Sequence, residues 1–464
     1  MSYRTGSFRL ASFVICFFPT LLLAQQKTDL QQILERLDRI EQENKSLANE
    51  VRALRAELAA TRGTPAPTTA PTESPAAVQN APAPTEERLA VDEARISEQA
   101  QTKVEASQKF PISLTGTVLF NSFLNGRASG GQEYPTSASQ TSSSSAGGAT
   151  LSQTILGVKF QGPEVLDGGQ VSGSAYFDAW GGTPSSSLNH LIRLRTATVQ
   201  IDWENTTILA GQDKPIISPR DPFSLAQVAF SPLTGAGNLW LWSPQVRVDQ
   251  RFKFGQNAGF IAQAGVYETS EPTYASRGGD NAALASTPRP AIEGRFEFWR
   301  KFSENARIEI APGFHESTSH AGGFSAPSRL ATVDWLIQPV SQIQFTGMFF
   351  TGENTAGLGG LRQGFTIFND SRAVPIGANG GWMQLSYLLT KRLTFNFFAG
   401  EENDRAADLL SGDIHNNLMY GANAIYRLGP NVLLGAEVSQ ARTNYFLLPS
   451  RLNNHYDLAV AYLF

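Results

Sequence analysis

The last residues of the chain alternate with period two. Tyr456, Leu458, Val460, Tyr462 and Phe464 are large and apolar, and Asp457, Ala459, Ala461 and Leu463 fall between them. Period two is the signature of a strand with one apolar face. The rhythm recurs from Pro111 onward: Leu393, Phe395 and Phe397 alternate with Thr394 and Asn396, and Val432, Leu434, Ala436 and Val438 alternate with Glu437 and Ser439. Past the N-terminus there is no uninterrupted apolar stretch of about 20 residues, so no membrane helix is expected. Strands that enter lipid must then close on themselves, because lipid offers no partner to an open sheet edge. The competing fold is a soluble β-sandwich. Charged residues make up only 17% of the chain, below the roughly 25% of soluble domains, and this favours the closed barrel.

The alternating segments predict about 16 strands, an even number, arranged as hairpins over 111–464. The expected pairs are 112–124 with 150–162, 171–181 with 191–203, 207–214 with 243–254, and 259–269 with 290–300. They continue as 307–316 with 328–338, 342–352 with 381–390, 393–403 with 416–428, and 431–442 with 455–464. Long connections rich in Gly, Ser or Pro (125–149, 215–242, 270–289, 353–380) alternate with tight ones (204–206, 255–258, 391–392, 429–430). A charge facing lipid at mid-bilayer costs about 2–4 kcal/mol, so the charged strand residues are expected inside. Trp203, Trp299, Trp335 and Tyr387 lie near strand ends, where an interfacial aromatic girdle belongs.

The N-terminal quarter differs in character. Arg4 and Arg9 followed by an apolar run and Ala24 read as an export signal over 1–24. Cys16, the one cysteine, lies inside that run, behind bulky Ile15, which argues against lipid attachment. Residues 28–61 carry a heptad pattern with Leu30, Leu37, Asn44, Val51 and Leu58 at a, and Ile33, Ile40, Leu47 and Leu54 at d. Leu at a with Ile at d favours three or four strands over two, and Asn44 fixes register. Arg36 to Glu41 resembles a short trimer motif, so a homotrimer is expected. Residues 62–110 form a Pro/Ala-rich linker and a charged spacer.

No nucleophile elbow, phosphate loop or zinc spacing is present, so no enzyme, cofactor or metal is expected. The net charge of −4 argues against a nucleic-acid partner. The chemical signal is basic. Arg247, Asp249, Arg251 and Lys253 share one strand face opposite Val246, Val248 and Phe252. Arg193 and Arg195 repeat the pattern, and Arg295 stands between Glu293 and Glu297. Rows of Arg and Lys inside a barrel select for anions; the alternative is a charge-balanced wall, with Asp249, Glu293 and Glu297 cancelling the field.

A final strand ending on an aromatic, here Tyr462 and Phe464, resembles the segment that the barrel assembly machinery reads in bacterial outer-membrane proteins. The order of signal, coiled coil, linker and barrel resembles the DcaP-like porins, as do Gly211-Gln212, Pro244-Gln245-Val246-Arg247 and Phe464. That resemblance implies a trimeric channel in outer-membrane lipid, with its coiled coil in the periplasm, passing small anionic solutes such as organic acids. In trimeric 16-stranded porins the third outer loop folds inward, which makes Lys214, Arg220 and Asp221 candidate constriction residues; packing of that loop against a neighbour is the alternative. Two other readings are an anchor with a periplasmic spacer and a phosphate- or sugar-selective porin. Aromatics at the constriction would mark a sugar pore, and basic residues without compensating acids a phosphate pore.

Overall fold

A computed structural model of the chain describes residues 111–141, 144–180, 191–268, 290–321, 324–361, 363–368 and 372–464. The expected signal peptide, coiled coil and linker lie outside these residues. Among the described residues no helix is long and apolar enough to cross a membrane.

The chain forms a closed antiparallel barrel of 16 strands. These are β1 (Ile112–Asn125), β2 in two segments (Ala146–Thr150 and Ile155–Val165), β3 (Gly169–Asp178), β4 (Arg193–Asp202), β5 (Thr206–Asp213), β6 (Ser243–Lys253), β7 (Ala258–Tyr267) and β8 (Ala291–Ser303). They continue as β9 (Ala306–Ala321), β10 (Phe324–Val340), β11 (Ile343–Glu353), β12 (Gly377–Thr390), β13 (Leu393–Asp404), β14 (Ile414–Arg427), β15 (Val432–Tyr445) and β16 (Arg451–Leu463). Each strand pairs with its sequence neighbours, and β1 closes the ring against β16 from Thr117↔Leu463 to Asn125↔His455. The eight predicted hairpins all form. A small separate hairpin, Phe365–Phe368 with Arg372–Pro375, lies in the connection between β11 and β12.

The apolar rows face out. On β16, Tyr456, Leu458, Val460 and Tyr462 are exposed, whereas Asp457, Ala459 and Ala461 are buried inside. Phe464 completes the closure: its N–H donates to Gly116 O at 3.2 Å and its O accepts from Gly116 N–H at 3.0 Å. A Cβ on Gly116 would stand 2.8 Å from the Phe464 ring, so the ring lies directly over this glycine. Deleting Phe464 removes both bonds and the covering ring. Insertion into lipid vesicles, followed by the heat-modifiable folded band on gels, should then slow several-fold; an unchanged rate would show that closure does not depend on the last residue.

Three details depart from the sequence reading. The β9–β10 hairpin is taller than expected, running to Ala321 and back from Phe324. The predicted strand 150–162 is broken, because Ser152 and Gln153 turn inside, where Gln153 Oε1 accepts the Ala229 N–H at 3.0 Å. Thr154 Oγ1 bridges the break, accepting the Leu119 N–H at 3.2 Å in place of a ladder bond. Finally, Trp299 faces inward, not toward an outer girdle. It alternates with exposed Phe298 and Phe302, and its ring covers Gly259, where a Cβ would come within 2.5 Å.

Candidate functional site

The loop 214–242 between β5 and β6 folds into the barrel and meets most of its wall. The Phe223 N–H donates to Gln384 of β12 (2.7 Å), Ser224 Oγ to Glu437 of β15 (2.5 Å), Asn121 of β1 to Leu225 O (2.7 Å), and Asn417 of β14 to Gly235 O (2.9 Å). Its apolar side chains, Ile217, Leu233, Ala236 and Leu239, form the main buried cluster with Leu330, Met348, Phe350, Trp382, Phe398 and Met419 of the wall. The inward residues of β10–β14 that pack against these loop side chains are thus apolar. The inward fold implied by the porin resemblance is the one the structure adopts.

The loop is also held by charge. Arg220 reaches the wall and bonds Asp334 and Glu309, with Glu297 at 3.5 Å. Buried Arg295 shares the same acids, donating to Asp334 (2.6 Å) and Glu297 (2.7 Å), and Arg307 lies 3.4 Å from Glu309. At the foot of the loop Lys214 pairs with Asp221, whose other oxygen accepts from Asn238 at 3.2 Å. Of the three loop candidates, then, Arg220 joins the wall and Lys214 and Asp221 join each other.

The strand candidates are paired as well. Arg247 lies 3.2 Å from Asp213 and 3.6 Å from Asp249; Arg251 lies 3.8 Å from Asp202. Lys253 sits at the tight-turn end beside Glu204 (3.5 Å), well exposed. Arg193 and Arg195 both bind Asp178, at 2.5 and 3.2 Å. Here the geometry is unequal: the Asp178 side chain is 0% exposed, and the guanidinium-bearing side chains keep 22% and 18% of their surface. Trp180 and Trp242 flank Arg193 at 5.0 and 5.2 Å, and Trp242 lies 4.7 Å from Arg195, so both cations are held flat by rings. The two tryptophans and Asp178 were not singled out from sequence. Asp178 pairs with Arg193 in register, a signal present in the predicted hairpin.

A second missed group is a hydrogen-bond chain. Glu293 Oε1 contacts His315 Nδ1 at 2.8 Å, and His315 Nε2 contacts Ser317 Oγ at 2.9 Å. Geometry alone would allow a nucleophilic relay. The cavity beside it holds only about 20 Å³, room for one water and not for an acyl substrate. Glu293 instead serves the loop, accepting the Ile217 N–H at 3.3 Å.

No family model and no curated protein matches the chain. Solved structures do. The outer membrane channel DcaP of Acinetobacter baumannii is similar over 76% of this chain and 97% of that chain, with 17% identity and a TM-score of 0.61. The barrel has the fold of the DcaP channel. The anion-selective porin from Comamonas acidovorans is similar over 76% of this chain and 99% of that chain, with 12% identity and a TM-score of 0.51. At these identities the likeness establishes the porin-type barrel fold.

Proposed function

We propose that the chain is a bacterial outer-membrane porin: a homotrimeric, passive diffusion channel for small hydrophilic solutes that prefers anions such as organic acids. Its coiled coil lies in the periplasm, and the barrel assembly machinery inserts it through the final strand. The carrying observation is a closed barrel, apolar outside, whose lumen is crossed by a loop tied to charged side chains of the wall. The anion preference rests on Asp178, fully buried beneath two arginine side chains that keep about a fifth of their surface. That site contributes a net positive charge, and its accessible part is cationic. The described anion-selective neighbour of similar fold agrees with this reading. The other candidate cations, Lys214, Arg220, Arg247, Arg251, Lys253 and Arg295, have acidic partners, which weakens the case for a phosphate pore.

Single-channel recording of the full-length mature protein in a potassium chloride gradient tests the proposal. A reversal potential of anion-preferring sign is expected. The preference should fade as salt rises, since the screening length falls from about 10 Å at 0.1 M to about 3 Å at 1 M. Absence of conductance would instead favour the anchor reading, which the loop-filled lumen supports. Native mass determination in detergent should give three chains.

The paired geometry ranks the arginines. Arg193→Gln with Arg195→Gln leaves Asp178 uncompensated and should move the reversal potential strongly toward cations. Arg247→Gln with Arg251→Gln, beside acids whose side chains keep 12–33% exposure to screening water, should move it less. Equal shifts would place the selective charge elsewhere.

A further inference from the structure

The outward face of β13–β16 and β1 is not smooth. Ala422, Ala424 and Ala436 form the floor of a groove of about 550 Å³, with Tyr456 and Leu458 on one flank and Phe395 on the other. The floor is low because the register places small residues side by side, Ala424 opposite Ala436, and bulky Leu458 stands next to Ala436 as the flank. One row further toward the long-loop end the wall turns polar: the Tyr420 hydroxyl donates to Gln440, and Gln440 Nε2 donates to Asn454 Oδ1 at 2.7 Å. The next outward residue on β15 is Arg442, which is exposed and has no ion pair or hydrogen bond among the described residues. It stands four residues from Val438, about 13 Å along the strand at roughly 3.3 Å per residue.

We propose that this groove is a lipid site, holding an acyl chain of a phosphate-bearing lipid whose headgroup meets Gln440 and Arg442. The proposal rests on the membrane reading above. The groove is bounded on both flanks by bulky side chains and leads to a polar rim, so a linear chain fills it. The flat wall of a second copy would rest on Phe395, Tyr456 and Leu458 and leave the floor empty. The charge points the same way: a guanidinium without a partner among the described residues, just past an apolar belt, matches a phosphate oxygen pair.

The test is native mass spectrometry of the full-length protein in mild detergent, with added dioleoylphosphatidylglycerol or uncharged dioleoylglycerol. Phosphatidylglycerol adducts should persist and dioleoylglycerol adducts should not. Ala436→Trp fills the floor, and Arg442→Gln removes the charge. Each should lower phosphatidylglycerol occupancy, the second about fivefold, as expected for one basic contact to an anionic lipid. Heat-modifiable migration checks folding; if Ala436→Trp does not fold, Ala422→Val is the substitute. Equal occupancy in wild type and variants would overturn the proposal. So would a change in chain number with unchanged occupancy, which would make the groove a subunit contact. Bilayer conductance of the same preparations reports on the channel reading separately: a silent barrel that loses its adduct on Arg442→Gln still has the lipid site.

Discussion

Replacing Gly237 by valine should raise single-channel conductance several-fold. Gly237 has φ +96°, a left-handed conformation that β-branched residues strongly resist. Its missing Cβ would lie 2.2 Å from Gly381 O, so the loop backbone rests directly on the wall. Gly400 makes the reciprocal contact, since a Cβ there would come within 2.2 Å of Ala236 O. A side chain at either position lifts residues 236 and 237 off the wall. Leu233 and Leu239 then lose their packing against Trp382, Phe398 and Met419, the contacts that hold this end of the loop across the lumen. The loop keeps its other anchors at Arg220 and Ile217, so the barrel should remain folded while its opening widens. Gly400→Val should act in the same direction from the wall side. Planar-bilayer recordings of both variants decide the matter: conductance equal to wild type in each would mean that the solute path avoids this part of the loop.

The barrel was legible because lipid imposes one demand on every second residue. Outward side chains such as Leu385, Phe397 and Val438 must be apolar, and that rule repeats strand after strand. The lumen obeys no such rule. Met348, Phe350 and Phe398 point inward and are apolar because a loop more than a hundred residues earlier in the chain covers them, and a local pattern carries no trace of that loop. Trp299 was misplaced for the same reason: near a strand end, a girdle ring and a lumen ring have the same sequence context, and only the pairing with Gly259 separates them. The basic residues stood out as a row, but their strength depends on partners. Arg220 finds Asp334 at a separation of 114 residues and Glu309 at 89. The partners closest in sequence, Asp249 for Arg247 and Glu297 for Arg295, were the ones in view. Lys253 follows the face of Arg247 but ends at the turn, where alternation alone does not distinguish the mouth from the middle.

The largest stability effect is expected at Arg295. Its side chain is 4% exposed and donates to Asp334, Glu297 and Gln263, and the Asp334 side chain is 2% exposed. Arg220 and Arg307 supply the other cations of the cluster against Glu297, Glu309 and Asp334. Arg295→Met keeps an unbranched apolar stem but removes the charge and donors. Asp334 is then left buried with Arg220 as its one cation, and a stripped partner of a buried pair costs about 3–5 kcal/mol. The cost should show as a lower urea midpoint for unfolding from lipid vesicles. Arg295→Met combined with Asp334→Leu removes the orphaned charge too, leaves Arg220 with Glu309 and Glu297, and should recover much of the loss, because replacing a buried pair by apolar groups is often close to neutral. A single variant as stable as wild type would mean that lumen water reaches and screens the cluster. A double variant no better than the single would place the loss in packing around Arg295 and not in the unpaired carboxylate.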